Sequence, residues 1–300
     1  MITNEPLVSV LMTAYNRQRY IGEAIESVLA SAYSNFELII VDDASKDETV
    51  TVANSYKKKD ERIKVYVNEL NLGDYANRNK AASYAKGKYL KYLDSDDIIY
   101  PWGIAAMVYS MECFPEAGFG LMAQNFYLNK LFPFCLSPRE SYSTFYFKGN
   151  LIGMGPTGAI IKKEAFDEIG GFTGGPYIGD TEMWYKLACR WPLVCFPPGM
   201  VWWREHAEQE IRSEYKDNTV KYLRYNLNIS ALQFKQCPLN EGDAAMAARN
   251  IKNLFSRNIL KDIMHGRIKN AIQLKQLSKI SIFDIVLSLK RNKYPNEIIE

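Results

Sequence analysis

The chain has 300 residues, of which 47% are hydrophobic and 24% charged, a composition that indicates a globular protein with one large domain and an appendage. No apolar run approaches 18 residues, and the first one, from Leu7 to Met12, is too short for a signal peptide, so we expect neither a membrane-spanning helix nor a secretory leader. The net charge is only +3, and we expect no nucleic-acid partner. Five widely spaced cysteines without a CxxC pair argue against a disulfide scaffold or a structural zinc site, so we expect a cytoplasmic protein.

Five short β-rich runs alternate with segments of helical length through the first 126 residues. These runs are LVSVLM (7–12), FELIIVD (36–42), RIKVYV (62–67), KYLKYLD (88–94) and GFGLMA (118–123). Between the first two, one helical face carries Ile21, Ala24, Ile25, Val28 and Leu29. The repetition of strand, helix and strand predicts an α/β fold with a mostly parallel central sheet that is covered on both faces.

Acidic residues follow two of these predicted strands at the points where the strands end. Asp42 and Asp43 close the second strand, and Asp94, Asp96 and Asp97 close the fourth. Sheets of this kind bind ligands in the crevice at the carboxyl ends of their strands. The sequence therefore predicts a binding site at this edge, where Asp43 is placed to accept hydrogen bonds from a base edge or a ribose hydroxyl.

The string YLDSDD concentrates up to three negative charges, on Asp94, Asp96 and Asp97, in one turn. Carboxylates this close repel one another unless a cation joins them, and Mg2+ or Mn2+ prefers oxygen ligands and keeps positions open for phosphate oxygens. A solvated acidic turn or a helix N-cap is the alternative, and the position at a strand end favours the metal site. In the other cluster, Ser45 or Asp47 is expected to cap the following helix.

The pattern changes in the second half of the chain. From about 140 to 205, clusters such as GMGPTG, GGFTGG and FPPG separate short elements, which suits a substrate-facing half of the same domain. Residues 207–300 contain no convincing strand. Helical spacing there involves Ile251, Leu254 and Phe255, then Ile268, Ile272 and Leu277, then Ile282, Ile285, Val286 and Leu289. Residues 249–293 have a net charge of +9, so the remainder of the chain has −6.

Several spaced motifs together resemble family 2 glycosyltransferases of the GT-A fold. They are SVLMTAYNRQRYIGEAIESVLASAYSNFELIIVDDASKDET, NLGDYANRN, AKGKYLKYLDSDD and the later GGF and IGDTEMW segments, in the family's order and at its intervals. The resemblance covers roughly residues 6 to 206. It implies a Rossmann-like GT-A nucleotide-diphospho-sugar transferase domain over 1–206, with a nucleotide-binding half (1–126) and an acceptor-side half (127–206), and a helical, basic C-terminal appendage over 207–300.

The same resemblance assigns residues to the donor nucleotide. Thr13, Ala14 and Tyr15 match the family's nucleotide-contacting turn, in the loop after the first strand. Asp43 matches its base-recognising aspartate. Arg78 matches the arginine of the ARN motif near the donor, with a surface helix arginine paired to an acid as the alternative.

It also assigns residues to the metal and to catalysis. Asp94 and Asp96 match the DxD pair, the first near the ribose and the second on a Mn2+ or Mg2+ ion. His206 falls where many members carry a histidine close to the metal or diphosphate. Asp180 matches the catalytic base of the inverting members, with a simple N-cap as the alternative, and Glu182 is a rival base because Gly179 stands where a glutamate is common.

The resemblance implies transfer of a sugar from a nucleotide-sugar donor, with UDP the expected nucleotide, to a saccharide or lipid-linked saccharide acceptor. Inversion follows from a single displacement, and the expected product is a cell-surface or extracellular polysaccharide. A sugar-phosphate nucleotidyltransferase and a catalytically inactive GT-A-fold binding subunit are the alternatives. The basic segment 249–293 predicts either peripheral contact with anionic membrane, at its inner face, or a solvated basic surface.

Overall fold

The computed structural model describes residues 5–123, 130–149, 151, 153–175, 177–206 and 218–289. The chain divides into two compact units. One comprises Met1–Ser141 and Leu151–Glu205, and the other comprises Tyr142–Asn150 and His206–Glu300. The subdivision of residues 1–206 into a nucleotide-binding and an acceptor-side half stays a prediction.

The strands of the described residues all lie in the first unit. They are β1 Val8–Ala14, β2 Phe36–Asp42, β3 Ile63–Val67, β4 Tyr89–Tyr92, β5 Ile98–Ile99, β6 Phe119–Met122, β7 Phe134–Leu136, β8 Ala159–Lys162, β9 Leu193–Phe196 and β10 Val201–Trp202. All five strands expected from the sequence are confirmed, as β1 to β4 and β6. The residues of β1, β2, β4 and β6 are mostly apolar and nearly all buried, because helices cover both faces of a parallel sheet, whereas β3 lies at the edge of the sheet and is partly exposed.

Eight strands form one sheet in the order β3-β2-β1-β4-β8-β6-β9-β7, and β5 pairs with β10 in a small antiparallel ribbon. Parallel pairing joins β1 to β2, β1 to β4, β2 to β3 and β6 to β9, whereas β7 and β8 pair antiparallel with their neighbours. The chain reverses its direction of winding at β1, between β2 and β4. A crevice is expected at this switch point, at the carboxyl ends of those strands.

Helices connect the strands of this unit. They are α1 Ile21–Leu29, α2 Thr49–Lys57, α3 Asp74–Ser83, α4 Gly103–Glu112, α5 Pro138–Phe147, α6 Lys163–Glu168 and α7 Gly179–Arg190. The predicted apolar face of α1 is confirmed, since Ile21, Ala24, Ile25 and Val28 are fully buried. This face of α1 packs against the sheet, and the burial of its apolar side chains stabilises both the helix and the sheet.

The second unit consists of helices wherever it is described beyond residue 217. They are α8 Asn218–Ala231, α9 Glu241–Met264, α10 Ile268–Ser278 and α11 Ile282–Leu287. A small core joins the last three, built from Phe255, Ile259, Ala271, Leu274, Ile280 and Ile285. Of the described helices, none has the length and apolar character that crossing a bilayer requires.

A close backbone approach between β1 and the turn before β4 yields a test of this packing. A Cβ on Gly87 would lie 2.6 Å from Ser9 N and 2.7 Å from Leu7 O, both backbone atoms that cannot move aside. We expect Gly87→Ala to destabilise the protein by about 1–3 kcal/mol, as overpacking does. Urea unfolding measures the change.

Gly22→Ala is the matched control, because Gly22 lies in α1 and its Cβ would meet no atom closer than 3.4 Å. It should leave stability unchanged or raise it by up to about 1 kcal/mol, since alanine favours a helix. Equal stability of the two variants would contradict the close approach.

Candidate functional site

The carboxyl ends of β1 and β2 form one side of the predicted site. The first strand extends two residues beyond the predicted end, so Thr13 and Ala14 lie within β1 and not in the loop, and Tyr15 follows as an exposed side chain. The reason is pairing: Ala14 stands opposite Asp42 in the parallel register, and Asp43 N donates to Ala14 O at 2.8 Å. The two strands therefore end at the same level.

The loop after β2 holds the loop after β1 in place. Asn16 N donates to Ser45 Oγ at 2.8 Å, and Gln18 N donates to Asp47 Oδ2 at 3.1 Å. The expected capping of α2 by Ser45 or Asp47 is met in part: the N-cap residue is Glu48, which makes no side-chain cap, but Asp47 Oδ1 accepts from Thr49 N, the first amide of the helix, at 3.0 Å. Ser45 and the other oxygen of Asp47 satisfy backbone groups of a separate loop, which sequence spacing does not reveal.

Asp43 is buried at the end of β2, where its carboxylate accepts three hydrogen bonds. The donors are Asn68 Nδ2 at 2.8 Å, Leu72 N at 2.8 Å and Gly73 N at 2.9 Å. A carboxylate has about four acceptor positions, so capacity for a further donor remains. Asp43 therefore fixes the segment that leads into α3 and retains an acceptor position for a ligand.

Arg78 lies on α3 and is 7% exposed, so the alternative of a surface arginine is wrong. Its Nε is 2.8 Å from Asp74 Oδ1, and its Nη2 is 2.8 Å from Asp94 Oδ1. Burial acts to lower the pKa of Arg78, but the charges of Asp74 and Asp94 outweigh it and raise that pKa. Arg78 is thus a permanent cation that joins α3 to the acidic turn after β4.

Asp96 contacts an arginine that the sequence analysis did not identify. Arg17 Nε donates to Asp96 Oδ2 at 3.1 Å, and the same guanidinium donates to Tyr15 O at 3.1 Å. This contact places the loop after β1 against the acidic turn. The signal in the sequence was the position of Arg17 two residues beyond the predicted nucleotide turn.

The acidic turn fits a divalent cation that is completed by ligand oxygens. Asp94 Oδ1 is buried and accepts no hydrogen bond of good geometry, although Arg78 is near. Within the described part of the chain, no group of three or more His, Cys, Asp or Glu side chains is arranged to hold a metal. Mg2+ is commonly held by one or two carboxylates together with substrate phosphates, and Asp94 and Asp96 supply that number.

Asp97 is the third carboxylate of the turn and serves a different purpose. Burial, with the charges of Asp94 and Asp96, raises the pKa of Asp97 to about 7. Arg204 N donates to Asp97 Oδ1 at 3.1 Å, and Arg204 Nε donates to Asp96 O at 2.9 Å. Arg204 therefore clamps the turn through its backbone and its side chain, a role that only the tertiary structure reveals.

Lys91 lies beneath the acidic turn and is completely buried. Its ammonium donates to the carbonyl of Tyr92 at 2.5 Å and to the carbonyl of Thr157. Burial lowers the pKa of Lys91 to about 7, although the charges of Asp94 and Asp97 act in the opposite direction. Lys91 links β4 to the turn around Thr157 and lies close enough to Asp94 and Asp97 for their charges to act on it.

Asp180 lies in the first turn of α7, and the N-cap alternative is wrong. The N-cap residue is Ile178, and Asp180 Oδ1 accepts from the adjacent Thr181 N at 2.6 Å. The charge of an acid in this position is favoured by the helix dipole. Asp180 is therefore held by its own helix, in the segment that the sequence assigned to the acceptor side.

Glu182, the rival carboxylate, is engaged elsewhere. Its Oε1 lies 3.1 Å from Lys186 Nζ one turn along α7, and Thr173 Oγ1 donates to its other oxygen. Both oxygens of Glu182 are therefore committed to neighbouring side chains.

Tyr75 explains the glycine before Asp180. A Cβ on Gly179 would lie 2.7 Å from Tyr75 Cε2 and 2.8 Å from Cζ, so no larger residue fits. Burial, followed by the charge of Asp180, raises the pKa of Tyr75. Tyr75 also belongs to α3, one turn before Arg78, so this contact brings the start of α7 next to the helix that holds the acidic turn.

Four of the aromatic side chains between residues 177 and 203 differ in their exposure to solvent. Trp184 is completely buried and stacks on Phe119, whereas Tyr177, Trp202 and Trp203 are 42%, 45% and 38% exposed. His206 is part of the second unit. Its place among the metal ligands stays a prediction.

Comparison with known proteins identifies the family of the chain. The model for Glycosyl transferase family 2 matches residues 9–170, more than half of the chain. TuaG of Bacillus subtilis (strain 168), a glycosyltransferase whose name assigns it provisionally to teichuronic acid biosynthesis, is 40% identical over 128 residues, which cover 40% of this chain and 50% of TuaG. The uncharacterized glycosyltransferase RP339 of Rickettsia prowazekii (strain Madrid E) is 32% identical over 195 residues, 61% of this chain and 58% of the relative. The chain thus spans about half the length of these curated relatives.

Solved structures share the fold over most of the chain. S. aureus TarS 1-349 in complex with UDP-GlcNAc aligns with a TM-score of 0.69 at 17% identity and covers 94% of this chain and 81% of its own. The mannosyltransferase PcManGT from Pyrobaculum calidifontis, in complex with GDP-Man and Mn2+, aligns with a TM-score of 0.63 at 15% identity, covering 96% and 88%. At these identities the likeness concerns the fold, and the expected GT-A type α/β fold is confirmed.

The buried lysine generates a pH-dependent prediction. Because the pKa of Lys91 falls from 10.5 to about 7 on folding, the stability it contributes is present above pH 10.5 and is lost as the pH falls to 7. Relative to Lys91→Met, the wild type should therefore lose about 1.4 kcal/mol for each pH unit in that window. Urea unfolding at several pH values between 7 and 10 measures this difference.

Lys58→Met is the control, since Lys58 is exposed and its profile should parallel that of the wild type. A parallel profile for Lys91→Met as well would show that Lys91 stays charged in the folded protein.

Proposed function

Because the chain belongs to glycosyl transferase family 2, we propose that it transfers a sugar from a nucleoside-diphosphate donor to an acceptor hydroxyl with inversion. UDP is the proposed nucleotide. The observation that carries this proposal is the convergence of Asp43, Asp94 and Asp96 at the switch point of the sheet, with Asp180 on the adjoining α7. A parallel sheet binds its ligand at that point.

The donor nucleotide is proposed to lie across the ends of β1, β2 and β4. Asp43 retains acceptor capacity for the base, and the exposed ring of Tyr15 borders the same edge after Thr13 and Ala14. Asp94, held by Arg78, is proposed to reach the ribose. Because Arg78 and Asp94 are already paired, the donor meets a preorganised surface.

Asp96 and Asp94 are the proposed ligands of Mn2+ or Mg2+, with His206 as a further candidate. When bound, the ion supplies stabilisation for the negative charge that develops on the departing diphosphate. Arg17 holds Asp96 Oδ2 in the ligand-free arrangement. It would have to release this oxygen to the cation, and its guanidinium would then be available to phosphate oxygens.

Asp180 is the proposed general base. It would accept the proton of the acceptor hydroxyl as that oxygen attacks the anomeric carbon, and one such displacement inverts the configuration. The pairing of Glu182 with Lys186 supports Asp180 in this role. Gly179 and Tyr75 support it as well, because their close packing brings the start of α7, where Asp180 lies, against the helix that carries Arg78.

The family match favours this reaction over the two alternatives. A nucleotidyltransferase would be expected to bind triphosphate with a glycine-rich loop after β1, and the loop here reads YNRQRY. An inactive binding subunit would have no need for a carboxylate at position 180. The acceptor is proposed to be a saccharide or a lipid-linked saccharide of a cell-surface or extracellular polysaccharide, which the name of TuaG supports.

A cytoplasmic location, peripheral at the inner face of the membrane, is part of the same proposal. All five cysteines are free, as expected of a reducing compartment.

Donor binding should depend on a divalent cation. We expect UDP to bind more tightly in Mn2+ than in EDTA, and Asp96→Ala to weaken the Mn2+-dependent component most, because it removes a ligand oxygen. Isothermal titration calorimetry measures both. Equal affinity in Mn2+ and EDTA would remove the metal from the proposal.

Arg17→Ala should have the opposite effect to Asp96→Ala, namely a higher affinity for Mn2+. It frees Asp96 Oδ2 from its arginine partner, so the protein should bind Mn2+ alone more tightly than the wild type does. Unchanged Mn2+ affinity in Arg17→Ala would show that the ion does not use this oxygen.

Asp180→Asn should lower kcat by about 100-fold or more and spare UDP affinity, because asparagine cannot take up the proton. Its Oδ1 can still accept from Thr181 N, so folding should be preserved. Steady-state kinetics with a UDP-sugar, together with calorimetry of UDP, measure the two effects.

Glu182→Gln is the matched control on the same helix and should retain turnover near that of the wild type. The reverse result, with activity lost in Glu182→Gln and retained in Asp180→Asn, would make Glu182 the base. Loss of UDP binding in Asp180→Asn would place Asp180 in the donor site.

A further inference from the structure

Exposed apolar side chains are concentrated on the second unit. Of the nineteen large hydrophobic residues that are exposed among the described residues, nine lie within residues 263–289. They are Ile263, Met264, Ile268, Ile272, Ile282, Phe283, Val286, Leu287 and Leu289, and we name them the apolar set. A concentration of this kind marks an interaction surface.

In α10 and α11, some apolar residues face the small core and others face solvent. In α11, Ile285 is directed into the small core, whereas Ile282 and Val286 are 68% and 54% exposed. In α10, Ala271 is buried while Ile272 next to it is 52% exposed. These two helices therefore carry apolar residues on their exposed faces as well as on their buried faces.

The periodicity of the sequence predicts these helices correctly, but it does not predict which of their faces is buried. Ile268, Ile272, Ile282, Val286 and Leu289 were expected on helical apolar faces, and all five are exposed. An apolar face that the rest of the described chain leaves in solvent requires a different apolar environment.

The acidic residues of this region are neutralised within it. Asp262 pairs with Arg267 at 2.7 Å, and Asp284 pairs with Lys252 at 2.8 Å. Lysines are left over: among the residues that the structure describes, Lys261, Lys269, Lys275 and Lys279 have no acidic partner. The stretch of chain that carries the apolar set therefore has an excess of positive charge.

Charge is also divided along α9. Glu241 and Asp243 lie in its first turn, and Lys261 lies in its last turn, beside Ile263 and Met264 of the apolar set. A helix of this length separates the two ends by about 35 Å. The acidic end is thus remote from Ile263 and Met264, and the two paired aspartates are the only acidic residues in the sequence from 262 to 289.

We propose that the apolar set docks onto an anionic lipid bilayer, with its side chains in the headgroup boundary and the surrounding lysines on lipid phosphates. Apolar residues flanked by cations have the chemistry of interfacial membrane binding. A second copy of the chain fits less well, because it would bring like-charged lysines together. The proposal is independent of the donor chemistry, since lipid binding is measured without any sugar transfer.

The test is sedimentation of the full chain with vesicles of phosphatidylcholine, with and without phosphatidylglycerol, at near-physiological ionic strength. The wild type should bind the phosphatidylglycerol vesicles at least about tenfold more tightly, because each lysine near the surface contributes attraction. Equal binding to both vesicle types, or binding to neither, would overturn the proposal.

Variants separate the two components of the surface. Phe283→Ser with Val286→Ser should weaken vesicle binding by about tenfold or more, because it removes two apolar side chains from the interface. Both residues are more than half exposed, so folding should be unaffected, and circular dichroism checks this. Lys269→Gln with Lys279→Gln should reduce the preference for phosphatidylglycerol.

Leu131→Ser is the matched control, because Leu131 is 92% exposed in the first unit and should have no effect on vesicle binding. Sedimentation equilibrium addresses the other occupant. A dimer that dissociates in Phe283→Ser with Val286→Ser, without vesicle binding by the wild type, would make this surface a contact between two copies and overturn the lipid proposal.

Discussion

The structure depends on keeping several carboxylates together at one edge of a parallel sheet. Asp94, Asp96 and Asp97 follow a single strand, and their repulsion would open the turn if nothing opposed it. Cations from three separate parts of the chain oppose it: Arg78 reaches Asp94, Arg17 reaches Asp96, and Arg204 holds the backbone of the turn. Each carboxylate of the turn is therefore held by a contact from another part of the chain.

These cations also connect the elements that a donor must meet. Arg17 comes from the loop after β1, Arg78 from α3, and Arg204 from the segment after β10. A change in the charge of the turn is therefore felt at the ends of all three elements, because each is tied to it by a contact of low solvent exposure. Donor binding and the order of these loops are expected to be coupled for this reason.

In the second unit, cations and acidic residues are arranged differently from those of the first unit. Within residues 262–289 both acids are paired, as Asp262 is with Arg267, and the same stretch carries exposed apolar side chains together with lysines that have no acidic partner among the described residues. The first unit pairs cations with buried acids and gains a rigid site, whereas the second leaves cations unpaired and gains a surface with affinity for anions. Both outcomes follow from where the helices direct their side chains.

The sequence by itself determined the α/β fold, the five strands that it predicted and the edge where the acidic residues lie, because strand periodicity and the acids at strand ends are local signals. It could not identify the contacts of Arg17, Lys91 or Tyr75, since each acts on residues distant in the chain. Asp47 bonds Thr49 N of its own helix and Gln18 N of another loop, and the spacing of the sequence predicts only the first of these. Which backbone groups a polar side chain satisfies depends on contacts that only the tertiary structure decides.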